Sequence, residues 1–78
     1  MSKMIEVFIG NHQMSLEKFV EHCIALRGGS VTFEEGAAAP PRSGHTYWTV
    51  EFDSFDLALK AKTDIESKGI HVEGPCEY

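Results

Sequence analysis

The stretch Thr46-Tyr47-Trp48-Thr49-Val50-Glu51-Phe52 decides the fold. Every second residue in it is apolar, so one side of an extended chain carries Trp48, Val50 and Phe52. Strict alternation in aromatic and β-branched residues is typical of a half-buried strand. The stretch therefore predicts an inner strand of a sheet that packs against helices with one face only.

Three further strands are predicted around this one. Ile5, Val7 and Ile9 alternate with residues of a second face, which predicts a first strand over residues 4–9. Shorter alternating runs predict a second strand over 31–34 and a fourth strand over 70–73. All four strands end at glycine- or proline-containing turns or at a helix start, as separate strands of one small sheet should.

Two amphipathic helices separate the strands. Apolar residues at helical spacing follow Ser15, the predicted N-cap, and indicate a helix that ends at Gly28. A second helix is predicted from about residue 55 to residue 68, with Asp53 or Ser54 as its N-cap. Cys23 falls on the apolar stripe of the first helix, where we expect a buried thiol.

The order strand–helix–strand–strand–helix–strand resembles that of ferredoxin-like domains. The resemblance implies an α+β fold in which residues 1–78 form a single domain, with a four-stranded antiparallel sheet (order 4-1-3-2) and both helices on one face. A flexible loop between the second and third strands is predicted at about residues 35–45, because Pro40-Pro41 and the flanking glycines exclude regular structure. Many unrelated functions share this pattern, so it predicts no activity by itself.

Composition narrows the classes of partner. The chain has a net charge of −5, and its seven lysines and arginines are scattered, which argues against a nucleic-acid partner. No apolar run is long enough for a membrane span and no leader pattern is present, so neither a membrane partner nor secretion is expected. Cys23 and Cys76 form no disulfide or metal pattern, and a cytoplasmic location is expected.

The sheet face turned away from the helices is the predicted site. The strand directions place three rings side by side on this face, with a carboxylate beyond them: His71, Phe8, Tyr47 and then Glu34. Thr32 is expected on the same face, and the carboxylates of Glu73, Glu6 and Glu51 are expected to cluster lower down on it, at the other end from the rings. Exposed apolar surface of this kind usually marks an interface.

RNA-recognition domains also carry rings on the first and third strands of such a sheet. Here carboxylates take the neighbouring positions, and they would repel a phosphate backbone, so RNA binding is not expected. The four histidines show no metal-ligand spacing, and neither a metal nor another cofactor is expected.

These patterns predict a small non-enzymatic interaction or assembly module, which uses the open face to form a homodimer or acts as an acidic regulator or inhibitor of a larger protein. The alternative is a small-molecule-binding protein or minor enzyme, in which the 35–45 loop closes over the aromatic row. No catalytic residue is predicted. The predicted binding residues are Phe8, Tyr47, His71, Glu6, Glu51, Arg42 and His45.

Overall fold

The protein is described here by a computed structural model, which covers residues 2–35 and 45–76. The predicted loop falls almost entirely on residues 36–44, outside the described part. The elements follow the chain as β1 (Met4–Gly10), a 3-10 helix (Asn11–Leu16), α1 (Glu17–Leu26), β2 (Ser30–Glu35), β3 (His45–Glu51), α2 (Phe55–Glu66) and β4 (His71–Glu73).

The strands form one antiparallel sheet in the order β2-β3-β1-β4. Counted from the β4 edge, the same sheet reads 4-1-3-2. The central pair is β1 with β3, in which Val7 lies opposite Trp48 and Phe8 opposite Tyr47. On its other side β1 pairs with β4, and Phe8 lies opposite His71. The fold is therefore α+β, with a four-stranded antiparallel sheet and two helices.

The core lies between one face of the sheet and both helices. The alternating apolar residues of β1 and β3 are buried in it, and so are three residues each from α1 and α2: Val20, Cys23, Ile24, Ala58, Ala61 and Ile65. The small alanines let α2 approach the sheet closely. Because both helices share this core, the opposite face of the sheet carries no helix from residues 2–35 and 45–76.

The helix starts differ in how they are capped. Ser54 caps α2, since its hydroxyl accepts a hydrogen bond of 3.2 Å from the backbone N–H of Leu57. Ser15, the predicted cap of the first helix, is wrong in that role because it lies inside the 3-10 helix that precedes α1. The side chain of Gln13 holds this extra turn. It accepts from the Gly10 N–H at 3.1 Å and donates to the Gly69 carbonyl at 2.9 Å.

A β-bulge changes which residues of β2 face the helices. Val31 lies opposite Val50, but the next paired residue is Phe33, opposite Thr49, so Thr32 is the extra residue. Its hydroxyl donates to the Thr49 carbonyl at 3.3 Å. Every later side chain of β2 changes face as a result. The prediction that Glu34 lies on the open face is therefore wrong, and Phe33 lies there instead.

Within residues 2–35 and 45–76, neither helix has the length and apolar character that crossing a bilayer requires.

Candidate functional site: the open sheet face

Four rings form a continuous row across the open face. The ring centroids of His71 and Phe8 lie 5.4 Å apart, those of Phe8 and Tyr47 5.0 Å, and those of Tyr47 and Phe33 5.8 Å. These distances are within the range of favourable aromatic contacts. We call these four residues the aromatic row. It spans all four strands, from β4 at one edge to β2 at the other.

The cross-strand register explains how the row forms. Phe8 on β1 lies directly opposite both Tyr47 and His71, and directly opposed side chains on one face are the closest neighbours in a sheet. Phe33 lies opposite Thr49, two residues from Tyr47 on β3, and its ring meets the Tyr47 ring edge-on. The Phe33 side chain is half in solvent, with 51% of the residue's surface exposed. The sequence analysis missed it because regular alternation through β2 would turn this ring toward the helices.

A polar network borders the aromatic row. The Tyr47 hydroxyl donates a short hydrogen bond to the Glu6 carboxylate, and it accepts one of 3.2 Å from the Thr49 hydroxyl. At the β4 edge, His71 Nε2 lies 2.9 Å from a carboxylate oxygen of Glu73, two residues along the same strand. Tyr47 is thus held by its hydroxyl as well as by its ring neighbours, and its ring is the fixed centre of the row.

The charge on this face is negative. Glu6 lies directly opposite Glu73 and Thr49, whereas Glu51 lies opposite Met4, one row further from the rings. Glu6 and Glu73 are therefore nearer to the aromatic row than Glu51 is. None of the described residues of β1, β2, β3 and β4 is a lysine or an arginine. A ligand of this face consequently meets the aromatic rings and carboxylates of the described strands.

Two shallow cavities border the aromatic row. One, of about 380 Å³, is lined by Phe8, Gly10, His12, Gln13, Gly69 and His71. The other, of about 330 Å³, lies at the opposite end of β1 and includes Met4, Glu6, Thr49 and Glu73 in its lining. The surface around the aromatic row is therefore concave at two places and not flat.

Two predicted binding residues belong to the 35–45 loop. Arg42 lies outside the described residues, and so does the side chain of His45, whose backbone opens β3 opposite Gly10. Among the described residues, no group of three or more histidine, cysteine, aspartate or glutamate side chains could hold a metal ion.

The two thiols occupy different environments. Cys23 is buried in the core, and burial, followed by the nearby Asp64 carboxylate, raises the pKa of its thiol, while Arg27 opposes the shift. A protonated, enclosed thiol is a poor nucleophile. Cys76 is exposed, and neither cysteine forms a disulfide.

Comparison with protein-family models, with curated proteins and with solved structures finds no match to this chain.

Proposed function

We propose that this protein is a non-enzymatic interaction module that binds a basic protein partner through its open sheet face. The observation that carries the proposal is the aromatic row, in which four rings touch in sequence across the whole width of a face that no helix covers. Aromatic residues supply large contact area at little cost in side-chain entropy, and they dominate the energetics of most protein interfaces.

The charge of the face favours a basic partner. Glu6 and Glu73 lie in the row next to the rings and Glu51 lies one row further away, and the described strands contribute no lysine or arginine. A partner arginine or lysine could therefore lie over an aromatic ring and reach a carboxylate at the same time. A second copy of the chain would instead bring a net charge of −5 toward another −5.

The fold and the cysteines support two finer proposals. The βαββαβ order and the shared helix face support a ferredoxin-like architecture, which commonly uses its open face for binding. The absence of a disulfide at Cys23 and Cys76 supports a reducing compartment such as the cytoplasm.

A pair of matched variants tests the proposed binding face. Phe33 on the open face and Leu59 on α2 are both large apolar residues with about half of their surface exposed, at 51% and 42%. The full chain, Phe33→Ser and Leu59→Ser are immobilised side by side in lysate from the source cells. We expect wild type and Leu59→Ser to retain the same protein with a basic surface, and Phe33→Ser to lose it. Equal retention by all three chains would contradict the proposal.

Self-association is an outcome of a second measurement. Light scattering coupled to size exclusion should give a monomer mass for the purified wild-type chain at high concentration. If the wild type is a dimer and Phe33→Ser is a monomer, the partner of the open face is a second copy of the chain and not a basic protein.

The cavity at the His71 end favours small-molecule binding as a second candidate function. Its volume of about 380 Å³ falls within the range of small-ligand sites, and its lining combines the Phe8 ring with the imidazoles of His12 and His71. A fragment screen followed by NMR tests it, and confined shifts at Gly10, Gly69 and His71 are the expected result. Shifts spread over both faces of the sheet would count against a specific site.

A further inference from the structure

The outer edge of β2 is open, and it adjoins the aromatic row. β2 lies at the end of the sheet, and β3 is its only neighbouring strand among the residues that the structure describes. An edge strand presents unpaired backbone N–H and C=O groups to whatever approaches it. All five residues from Ser30 to Glu34 are exposed. The other edge, β4, offers only His71–Glu73 and is followed closely by Pro75, which has no N–H to donate.

Both faces of β2 carry an exposed apolar side chain. Val31 lies opposite the buried Val50, on the helix side of the sheet, yet 42% of its surface is exposed. Phe33 lies on the open face. Regular alternation would place residues 31 and 33 on one face, and the bulge at Thr32 is what divides them. A flat surface docked on the open face would cover Phe33 and leave Val31 in water, whereas a chain lying along the edge covers both.

The charges along this edge favour a basic segment as the binding partner. β2 ends with Glu34 and Glu35, and neither β2 nor β3 contains a lysine or an arginine. Two copies of β2 paired with each other would bring the Glu34 carboxylate of each copy onto adjacent strands, and opposed like charges destabilise a sheet. A segment rich in lysine or arginine meets complementary charge at the same positions.

We propose that the partner of this protein inserts an extended basic segment, which pairs its backbone with the outer edge of β2 and becomes a fifth strand of the sheet. The proposal rests on the open face being the binding face, and it adds the mode of binding. Strand addition of this kind draws affinity from main-chain hydrogen bonds, and specificity from the side chains on alternate sides. One set of partner side chains lies beside Phe33 and the aromatic row, and the other lies beside Val31.

A synthetic peptide tests the edge directly with the full chain. The probe is a terminally blocked peptide of about eight residues in which arginine and valine alternate, a length that matches ordinary strands. Two derivatives carry N-methyl groups, one on all arginine amides and the other on all valine amides. In a strand the N–H groups of alternate residues point to opposite sides, so only one set can face β2. The control peptide replaces every arginine with glutamate.

We expect the arginine peptide to bind and the glutamate peptide not to bind. Methylation of one set of amides should weaken binding by about tenfold or more, and methylation of the other set by less than about threefold. The amides of residues 30–35 should gain protection from hydrogen exchange. Glu34→Lys, a change at an exposed position, should lower the affinity in the same assay.

Two results would overturn the edge proposal. In one, both methylated peptides bind equally, and the NMR chemical-shift changes on binding fall on Phe8 and Tyr47. The open face would then be the binding face, but without strand addition. In the other, the arginine peptide shows no binding at about 1 mM, a concentration that detects a free energy of only about −4 kcal/mol. The capture experiment with Phe33→Ser and Leu59→Ser decides the proposed function separately.

Discussion

Deleting Thr32 tests the bulge on which the whole open face depends. Val31 lies opposite Val50 and Phe33 opposite Thr49, so the two strands would pair residue for residue once Thr32 is gone. The deletion variant should therefore keep Phe33 on the open face. If β2 instead alternated regularly through Thr32, Phe33 of the wild type would face the helices together with Val31, and the deletion would move it to the open face, because a slip of one residue reverses the faces of a strand.

Two opposing terms determine the expected stability of this variant. The lost hydrogen bond, 3.3 Å from the Thr32 hydroxyl to the Thr49 carbonyl, contributes about 0.5–1.5 kcal/mol. Ordering one residue fewer saves about 1–2 kcal/mol of backbone conformational entropy. The two terms nearly cancel, so the free energy of unfolding should change by less than about 1.5 kcal/mol in either direction.

Chemical denaturation measures this change, and NMR measures the geometry. Wild type and the deletion variant should both show nuclear Overhauser contacts between the rings of Phe33 and Tyr47, whose centroids lie 5.8 Å apart. The control is Thr32→Ala, which removes the hydroxyl and keeps the bulge, and so isolates the hydrogen-bond term. A destabilisation above about 3 kcal/mol, or a ring contact that is absent from the wild type and appears only in the deletion variant, would refute the bulged register.

Three further predictions concern the core. Gly29→Ala would place a Cβ 2.5 Å from a ring carbon of Phe52 and should cost about 1–3 kcal/mol; Phe52→Leu should relieve part of that cost in a double-mutant cycle. Phe52→Leu should not relieve the cost of Gly28→Ala. The Cβ added at Gly28 has no atom within 4 Å, and the penalty there comes from a backbone φ of +72°. Trp48→Phe removes an indole N–H that is buried without an acceptor among the described residues. Removing this unpaired donor should stabilise the fold by about 1–3 kcal/mol and so offset much of the packing energy lost with the larger ring. A urea titration of the free energy of unfolding measures the net change. The pKa of the Cys23 thiol is raised above its ordinary value of 9.0 in the folded state, so the free energy of unfolding should fall as the pH rises above 9.0. Cys23→Ala, which has no thiol to titrate, should lose less stability over the same pH range.

The sequence was sufficient to predict the face assignments of β1, β3 and β4. β1 and β3 each run for seven residues. An alternation of apolar and polar residues over that length shows both that the segment is a strand and which of its residues face the core. The positions of Phe8, Tyr47 and His71 beside one another followed from those faces and from the antiparallel directions of the strands. Their contacts at 5.0 and 5.4 Å confirm that part of the predicted row.

β2 could not be predicted in the same way, because its pattern is too short to show a bulge. The run Ser30–Glu35 contains two apolar residues spaced for one face, and nothing in the residue types marks Thr32 as extra. The bulge becomes visible only from the pairing with β3, which is a long-range property. The 3-10 helix before α1 was missed for a similar reason, since Gln13 bonds to Gly69, a residue 56 positions away.

The bulge and the acidic end of β2 together explain how an open edge can serve binding without inviting aggregation. An exposed edge with apolar side chains on both faces is a general hazard, because any strand can extend it. Here the backbone of the edge is available, but Glu34 and Glu35 give two copies of the chain the same charge at the place where they would pair. In the proposed mode of binding, the main-chain groups would provide affinity for an extended segment, and the carboxylates would restrict that affinity to segments of opposite charge. Since the rings of Phe33 and Tyr47 begin immediately beside this edge, a basic segment that pairs with β2 also places half of its side chains against the aromatic row.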